Sequence, residues 1–292
     1  MAPQPPAFFL RGASAQGGQR FCIFHPAVPS VRGAAIRGLV VYIHPFAEEM
    51  NKARRMAALQ SRALSEAGFA VLQMDLHGCG DSSGDFGDAT WDSWVADVVQ
   101  ACQWLVSHTD GASGDGHSAP LWLWGLRAGC LLAVEAATQL DKPCNFLLWQ
   151  PPSAGKPLLQ QFLRLRVAGD LLGGQAKAIM EQLKLQMANG LPVEIAGYSI
   201  ASAMAAGLEH SALLPPAGTH RGQRMEWLEI STREGSDLSP ISTKTVTLWQ
   251  HAGVAVRSQV VTGPAFWHTS EIEDAPALLA ATLQALDAGV PA

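Results

Sequence analysis

A short segment near the middle of the chain has the spacing of a catalytic turn. In Gly125-Leu-Arg127-Ala-Gly129, small residues stand on both sides of a central residue. Between an apolar strand and a helix, this spacing turns the chain sharply and pushes the central side chain out above the sheet, as in the nucleophile elbow G-x-S-x-G. The central residue here is Arg127, and a guanidinium with a pKa above about 12 cannot act as a nucleophile.

The charge of Arg127 requires an anion nearby, because a cation at the start of a helix is opposed by the helix dipole. One candidate is an internal carboxylate, from Glu48, Glu49 or Asp237. The other is a ligand carboxylate or phosphate, which a guanidinium grips with two hydrogen bonds. We favour the internal ion pair and leave both possibilities open. Cys130, the nearby thiol, is expected to face the sheet and stay unreactive.

The segment His44-Pro45-Phe46 follows an earlier apolar strand. In an architecture with an elbow, the loop at this position donates a backbone N–H to an oxyanion hole. Pro45 has no N–H, so we predict that Phe46 and Ala128 supply the two donors. The walls of the pocket are expected to include four further residues: His44, Pro45, Glu48 and Trp267. For His44 the alternative is a buried ring that is hydrogen-bonded to backbone.

Two polar residues follow the last two predicted strands. Asp237 comes after the penultimate strand and His268 after the last one. The chain order of elbow, acid and base is the order that a Ser-Asp-His triad takes around such an elbow. We therefore predict Asp237 and His268 as the catalytic pair. The alternatives are a helix cap or solvated turn for Asp237 and a structural role for His268.

Buried apolar runs alternate with helices and position these groups. The predicted strands of the core cover residues 39–43, 69–74, 121–124, 145–149, 225–230 and 254–261. Helices are expected near 52–67, after an N-cap at Thr90, from the end of the 121–124 strand to about 140, after Ser239-Pro240, and over 276–288. Two short runs at 8–10 and 21–24 predict an antiparallel hairpin. The strand–helix–strand alternation predicts an α/β fold with a mostly parallel sheet.

Between the fourth and fifth of these core strands the pattern changes. Residues 153–220 are helix-rich, and apolar residues at 158, 159, 162, 163 and 165 have helical spacing. We interpret 153–220 as a helical cap inserted into a core made of 1–152 and 221–292.

The composition excludes several classes of protein. The 292 residues carry a formal charge of −5, with 48% hydrophobic and 15% charged residues, which argues against disorder and against nucleic-acid binding. No apolar run reaches the roughly 18 residues of a membrane span, and the N-terminus lacks the basic start of a secretory signal. Five scattered cysteines are typical of reduced thiols in a cytoplasmic protein. We expect neither a metal nor a cofactor.

Several motifs together resemble a known family. They are His44-Pro-Phe-Ala-Glu-Glu-Met-Asn-Lys52, Gly125-Leu-Arg-Ala-Gly129, Leu148-Trp-Gln-Pro151, and Phe266-Trp267 with Glu271-Ile272. Over nearly its full length the chain resembles the α/β-hydrolase superfamily. More narrowly, it resembles the second type of hydrolase-like protein associated with the exosortase A system of Gram-negative bacteria, which accompanies exopolysaccharide production and C-terminal sorting signals on exported proteins.

The resemblance implies an α/β-hydrolase fold and a cytoplasmic partner of that machinery. It carries over Asp237 and His268 as acid and base, with Arg127 at the position of the serine. One hypothesis is a hydrolase of an ester, thioester or other acyl bond, in which His268 activates water. The alternative is a catalytically inactive pseudoenzyme that binds an acyl or anionic small molecule, or a protein of the exopolysaccharide system.

Overall fold

The computed structural model describes residues 6–13, 17–28, 35–109, 119–168, 176–216, 219 and 222–287. Its strands are β1 (Ala7–Arg11), β2 (Gln19–His25), β3 (Gly38–Ile43), β4 (Phe69–Met74), β5 (Leu121–Leu126), β6 (Asn145–Trp149), β7 (Val193–Ile195), β8 (Tyr198–Ile200), β9 (Arg224–Ser231) and β10 (Ala255–Thr262). Eight of the strands in this described part form one sheet in the order β1-β2-β4-β3-β5-β6-β9-β10.

The sheet is antiparallel at one end and parallel elsewhere. β1 pairs antiparallel with β2, and β2 pairs antiparallel with β4. From β4 to β10 every pairing is parallel. The parallel strands β3 and β5 are buried along their whole length, as strands covered by helices on both faces must be. The predicted hairpin and the predicted α/β-hydrolase fold are confirmed.

Helices cover both faces of this sheet. They are α1 (Glu48–Glu66), α2 (Trp91–Thr109), α3 (Ala128–Ala137), α4 (Gly155–Ala168), α5 (Ala176–Ala188), α6 (Ser202–His210), α7 (Pro240–His251) and α8 (Pro276–Asp287). One apolar core joins a face of the sheet to α1 and α8. The other core joins the opposite face to α2, α3 and α7 and continues into α4 and α6.

Two helix boundaries differ from the sequence-based prediction. α1 begins at Glu48 rather than near residue 52, because Ala47 takes a left-handed conformation (φ 50°) that turns the strand end directly into the helix. Its first turn holds Glu48 and Glu49, where the helix dipole favours negative charge. The Gly-, Ser- and Asp-rich sequence of 107–119 predicts a loop, but α2 continues to Thr109, and residues 110–118 lie outside the described residues.

The segment between β6 and β9 is largely helical, as predicted, but it also contains a hairpin that the sequence did not indicate. β7 and β8 pair antiparallel across Ala196 (φ 50°) and Gly197 (φ 83°), two positive φ angles in a two-residue turn. α6 packs against both α2 and α4. The division into a core and a cap with boundaries at 153 and 220 stays a prediction.

Candidate active site

The turn between β5 and α3 has the geometry expected of an elbow. Arg127 lies at its centre with φ 54° and ψ −119°, and α3 begins at the next residue. A Cβ atom at Gly129 would lie 2.2 Å from the Ile43 carbonyl oxygen, and one at Gly125 would lie 2.5 Å from the Cys130 amide nitrogen. Since real Cβ contacts are never this short, both glycines are required for the turn to pack against β3 and α3.

The guanidinium of Arg127 is held by three side chains. Its Nη2 lies 3.1 Å from Oε1 of Glu49, its Nε lies 3.3 Å from the same oxygen, and Nη2 also donates to Oε1 of Gln161 at 3.0 Å. The ring of Trp267 lies 5.8 Å from the guanidinium carbon. The side chains of Arg127 and Glu49 are only 13% and 9% exposed. Of the internal carboxylates predicted as partners for Arg127, Glu49 is the one that pairs with it.

His268 shares the same carboxylate. Its Nε2 lies 2.9 Å from Oε1 of Glu49 and 3.0 Å from Nε2 of Gln161. Because one ring nitrogen carries at most one proton, Nε2 either donates to Glu49 or accepts from Gln161. The backbone oxygen of His268 accepts from Lys52 at 3.2 Å. Glu49 thus contacts both Arg127 and His268 through the same oxygen, Oε1.

Asp237 lies apart from this cluster. It is exposed, in the segment between β9 and α7, and no hydrogen bond or ion pair within the described residues joins it to His268. The loop carries it into solvent, while Ser239 caps α7 by accepting from the Ser242 amide. The expected Asp237–His268 pairing is absent from this geometry, and Glu49 is the carboxylate that reaches the imidazole.

The two predicted oxyanion donors lie at the ends of adjacent strands. Phe46 follows β3 and Ala128 starts α3, and both residues are buried. Neither backbone N–H donates a hydrogen bond to any group in the described part of the chain. Two free N–H groups beside an elbow are the arrangement that an oxyanion hole needs. Their role as an oxyanion hole stays a prediction.

The residues expected to line the pocket divide into two groups. Glu48 lines it, whereas Trp267 does not line it and instead lies against the guanidinium of Arg127. His44 and Pro45 do not line it, because the His44 ring turns inward and Nδ1 donates to the Pro45 carbonyl oxygen at 2.8 Å. Nε2 of His44 accepts from the Leu76 amide at 3.3 Å, so this ring is the satisfied buried histidine of the alternative interpretation. Burial lowers the pKa of His44 and keeps it neutral.

A pocket of about 90 Å³ opens above the elbow. It is lined by Phe46, Glu48, Glu49, Arg127, Leu158, Gln161, Phe162, Leu165 and His268. The pocket therefore joins an apolar side from α4 to a polar side built from α1, the elbow and the segment after β10. Burial raises the pKa of Glu48, the neighbouring charge of Glu49 raises it further, and its Oε2 has no hydrogen-bond partner in the described structure.

The five cysteines are buried and unpaired. Burial raises the pKa of the Cys130 thiol, whose Sγ lies 3.2 Å from the Gly125 carbonyl oxygen. A thiol with a raised pKa and an inward direction is a poor nucleophile, as the sequence predicted. Within the described residues no group of three or more His, Cys, Asp or Glu side chains could hold a metal ion.

Gln161 is the site residue that sequence reasoning missed. It belongs to α4, far along the chain from the elbow, and bridges Arg127 to His268. The helical spacing of 158, 162 and 165 indicated one face of α4, and Gln161 belongs to that face. Nothing in the spacing showed that this face lies over the elbow.

Comparisons with known proteins agree with this fold. Residues 34–169 match the family model described as serine aminopeptidase, S33. The human protein ABHD12B is 30% identical over 168 residues, which cover 51% of this chain and 42% of that protein. The match thus spans less than half the length of this relative.

Solved structures resemble the chain over almost its whole length. A soluble variant of monoglyceride lipase from Saccharomyces cerevisiae has a TM-score of 0.62 at 13% identity and covers 98% of this chain and 96% of its own. Est1E from Butyrivibrio proteoclasticus, bound to ferulic acid, has a TM-score of 0.59 at 15% identity, with 95% and 97% covered. XC6422 from Xanthomonas campestris, an α/β serine hydrolase without a lid, has a TM-score of 0.53 at 17% identity, with 100% and 98% covered.

The chain has the α/β-hydrolase fold, which these solved structures share over almost its whole length. The family-model match is confined to residues 34–169. None of the helices in the described ranges combines the length and the apolar character needed to cross a bilayer.

Proposed function

We propose that the protein is a non-catalytic member of the α/β-hydrolase superfamily, a pseudo-hydrolase that binds a ligand or partner. One observation carries this proposal: none of the nine residues that line the pocket has a hydroxyl or a thiol. Arg127 takes the place of the serine and is neutralised by Glu49. Without a nucleophile at the elbow, the acyl-enzyme route of this fold has no first step.

The ligand that suits this site carries a carboxylate or a phosphate. Such a group competes with Glu49 for Arg127, and the displaced Glu49 keeps its contact with His268 at 2.9 Å. Guanidinium binds both kinds of oxyanion through parallel hydrogen bonds. The small volume, about 90 Å³, restricts the ligand's buried part to one head group.

The pseudo-hydrolase proposal is tested by initial-rate hydrolysis of p-nitrophenyl acetate and butyrate. We expect wild type to be inert and unlabelled by a fluorophosphonate probe, and Arg127→Ser to gain little, because Asp237 does not orient His268. Burst kinetics or probe labelling in wild type would overturn the proposal.

The head-group proposal is tested by isothermal titration with glucuronate and with glucose 1-phosphate. Wild type should bind one of them saturably, and Arg127→Met should abolish binding. Arg55→Met is the matched control, because Arg55 forms a comparable ion pair with Asp274 at the surface. Equal binding by wild type and Arg127→Met would contradict it.

The second candidate is hydrolysis of an acyl bond by water, with His268 as general base. The N–H groups of Phe46 and Ala128 favour it, because neither donates a hydrogen bond within the described residues. An oxyanion hole and binding alone retain roughly a thousandfold rate enhancement in serine proteases. A slow hydrolysis that His268→Ala abolishes would select this candidate over the first.

The cellular role follows from the resemblance of the motifs around residues 44–52 and 125–129. We propose that the protein acts in the cytoplasm beside the exosortase A and exopolysaccharide machinery, where its partner is a protein of that system or an anionic precursor. Affinity purification of the tagged chain from a host that encodes the system tests this. Recovery of the same partners by an Arg127→Met variant would separate partner binding from the pocket.

A further inference from the structure

A second cavity of the described structure lies away from the elbow. It has a volume of about 360 Å³ and runs between α4, α5 and α6. We call it the α4–α6 groove, and its lining residues are Lys156, Leu159, Gln160, Leu163, Lys184, Met187, Ala188, Ser202, Ala205, Ala206 and Glu209. This volume lies in the range of small-molecule sites, roughly 300–1,000 Å³.

The floor of the groove is apolar. Leu159, Leu163 and Ala205 are 4%, 1% and 3% exposed, and Met187 and Ala188 add further apolar surface from α5. Contact between an alkyl chain and such a floor removes apolar surface from water. The floor therefore favours an occupant with an aliphatic chain.

The rim of the groove is charged, and its charges are not all paired. Lys156 forms an ion pair with Glu209 at 2.9 Å, which leaves that carboxylate satisfied. Lys184 lies on the opposite wall and makes no ion pair within the described residues, including with Glu181 one turn earlier in α5. The rim thus offers one unpaired ammonium above an apolar floor.

The surrounding segment has the sign of charge that attracts an anion. The sequence of residues 155–210 carries five basic side chains against four acidic ones: Lys156, Arg164, Arg166, Lys177 and Lys184 against Asp170, Glu181, Glu194 and Glu209. The whole chain, in contrast, has a formal charge of −5. Local positive charge raises the concentration of anions near a surface.

We propose that the α4–α6 groove binds a free single-chain anionic amphiphile, such as a medium-chain fatty carboxylate, with its head group at Lys184 and its chain on Leu159 and Leu163. This site is separate from the pocket above the elbow. It stands or falls independently of whether the protein hydrolyses anything.

The groove and the pocket share one wall. Residues 156, 159, 160 and 163 of α4 face the groove, while 158, 161, 162 and 165 face the pocket. Gln161 is the pocket residue that holds both Arg127 and His268. An occupant of the groove therefore contacts the helix that supports the elbow's ion pair.

Isothermal titration with decanoate, below its critical micelle concentration, tests the proposal. We expect wild type to bind it saturably, Ala206→Trp to lose binding because indole fills the groove, and Lys184→Glu to bind at least about tenfold more weakly because the charge is reversed. Ala203→Trp, exposed on the same helix outside the groove, and Lys177→Glu, two turns earlier in α5, are the matched controls and should bind like wild type. Melting temperatures establish that each variant is folded.

Three outcomes would overturn the proposal. These are no saturable binding by wild type, undiminished binding by Ala206→Trp, or equal affinity for decanoate and the cationic decyltrimethylammonium. Vesicles of phosphatidylglycerol provide the remaining arm. Recruitment to vesicles without binding of free decanoate would assign the groove to a membrane surface and reject the free amphiphile.

Discussion

Two strand-to-helix turns of this sheet share one uncommon backbone conformation. Between β3 and α1, Ala47 has φ 50° and ψ −126°, and between β5 and α3, Arg127 has φ 54° and ψ −119°. Each residue precedes the first turn of its helix without forming a side-chain cap. Yet the Ala47 side chain is buried in the core, whereas that of Arg127 enters the pocket.

The difference between the turns separates backbone geometry from chemistry. Both turns serve the same purpose, which is to start a helix directly after a buried parallel strand. The sharp turn exists at Ala47 without any functional side chain, so an elbow conformation is not by itself a catalytic feature. The Arg127 turn is specific in carrying a guanidinium at its centre. This guanidinium pairs with Glu49, which lies just after Ala47 at the start of α1.

The largest expected effect concerns Gly129, whose close packing against the backbone of β3 distinguishes the Arg127 turn from the Ala47 turn. Gly129→Ala would bring a Cβ to 2.2 Å from the Ile43 carbonyl oxygen, and backbone cannot move aside cheaply. We expect a loss of about 3 kcal/mol or more in the free energy of unfolding, measured by urea denaturation. Gly263→Ala is the control, since its nearest contact would be an ordinary 3.4 Å, and similar losses for both would refute this account of the turn.

The next effect concerns the ion pair that links the two turns. Arg127→Met leaves the buried Glu49 without its guanidinium partner and with only the His268 contact. We therefore expect the free energy of unfolding, measured by urea denaturation, to fall by about 3 kcal/mol. Glu49→Gln should lower the free energy of unfolding by a similar amount. The double variant should lose less than the sum of the two single losses, and the difference, which is the coupling energy, should be about 1 kcal/mol or more. Arg55→Met, which breaks the exposed Arg55–Asp274 ion pair, should lower the free energy of unfolding much less. Additive losses at 127 and 49 would show that the pair contributes nothing specific.

The third effect is a pH dependence of stability that comes from two buried histidines, His44 just before the Ala47 turn and His25 at the end of β2. Burial lowers the pKa of His44, and burial with the charge of Arg62 lowers that of His25 to about 4. Below the unfolded value of about 6.5 the unfolded chain binds more protons, so stability falls as the pH falls, by up to about 1.4 kcal/mol per pH unit for each histidine. Urea titrations from about pH 7.5 to about pH 5 should show this decline. His25→Gln should flatten it, and an unchanged slope would contradict the assignment.

The smallest effect isolates the backbone strain that both turns share. Ala47→Gly should stabilise the protein by up to about 1 kcal/mol, because glycine adopts positive φ without the cost that a Cβ brings. Arg127→Gly should be more stable than Arg127→Ala by a similar free energy, because both variants lack the ion pair and only glycine avoids the strain. The melting temperatures of the two variants check this. If glycine gave no advantage at either position, the turns would carry no strain.

The elements of the core were predictable because their signals are local. Continuous apolar runs identified β3, β4, β5 and β6, and Ser239-Pro240 marked the start of α7. The hairpin of β7 and β8 was missed, because three-residue strands carry too little periodicity to stand out within a helix-rich segment.

The site was only partly predictable. An anion beside Arg127 could be expected in advance because of the helix dipole, but the spacing did not select Glu49 over Glu48 or Asp237. The approach of Gln161 to His268 depends on how α4 packs across the sheet, a long-range arrangement without any signal in the spacing. Asp237 occupies the expected place in the chain, but the side chain points to solvent, because order along the chain does not determine direction.

The two-sided lining of α4 constrains how this protein can change over evolutionary time. Neighbouring positions such as Leu158 and Leu159 line different cavities. A shift of the helix axis that fits an occupant to one cavity therefore also changes the shape of the other. Lineages that acquire a new occupant for one cavity must therefore retain or jointly remodel the other. We expect substitutions on opposite faces of this helix to covary among relatives, although their side chains never touch.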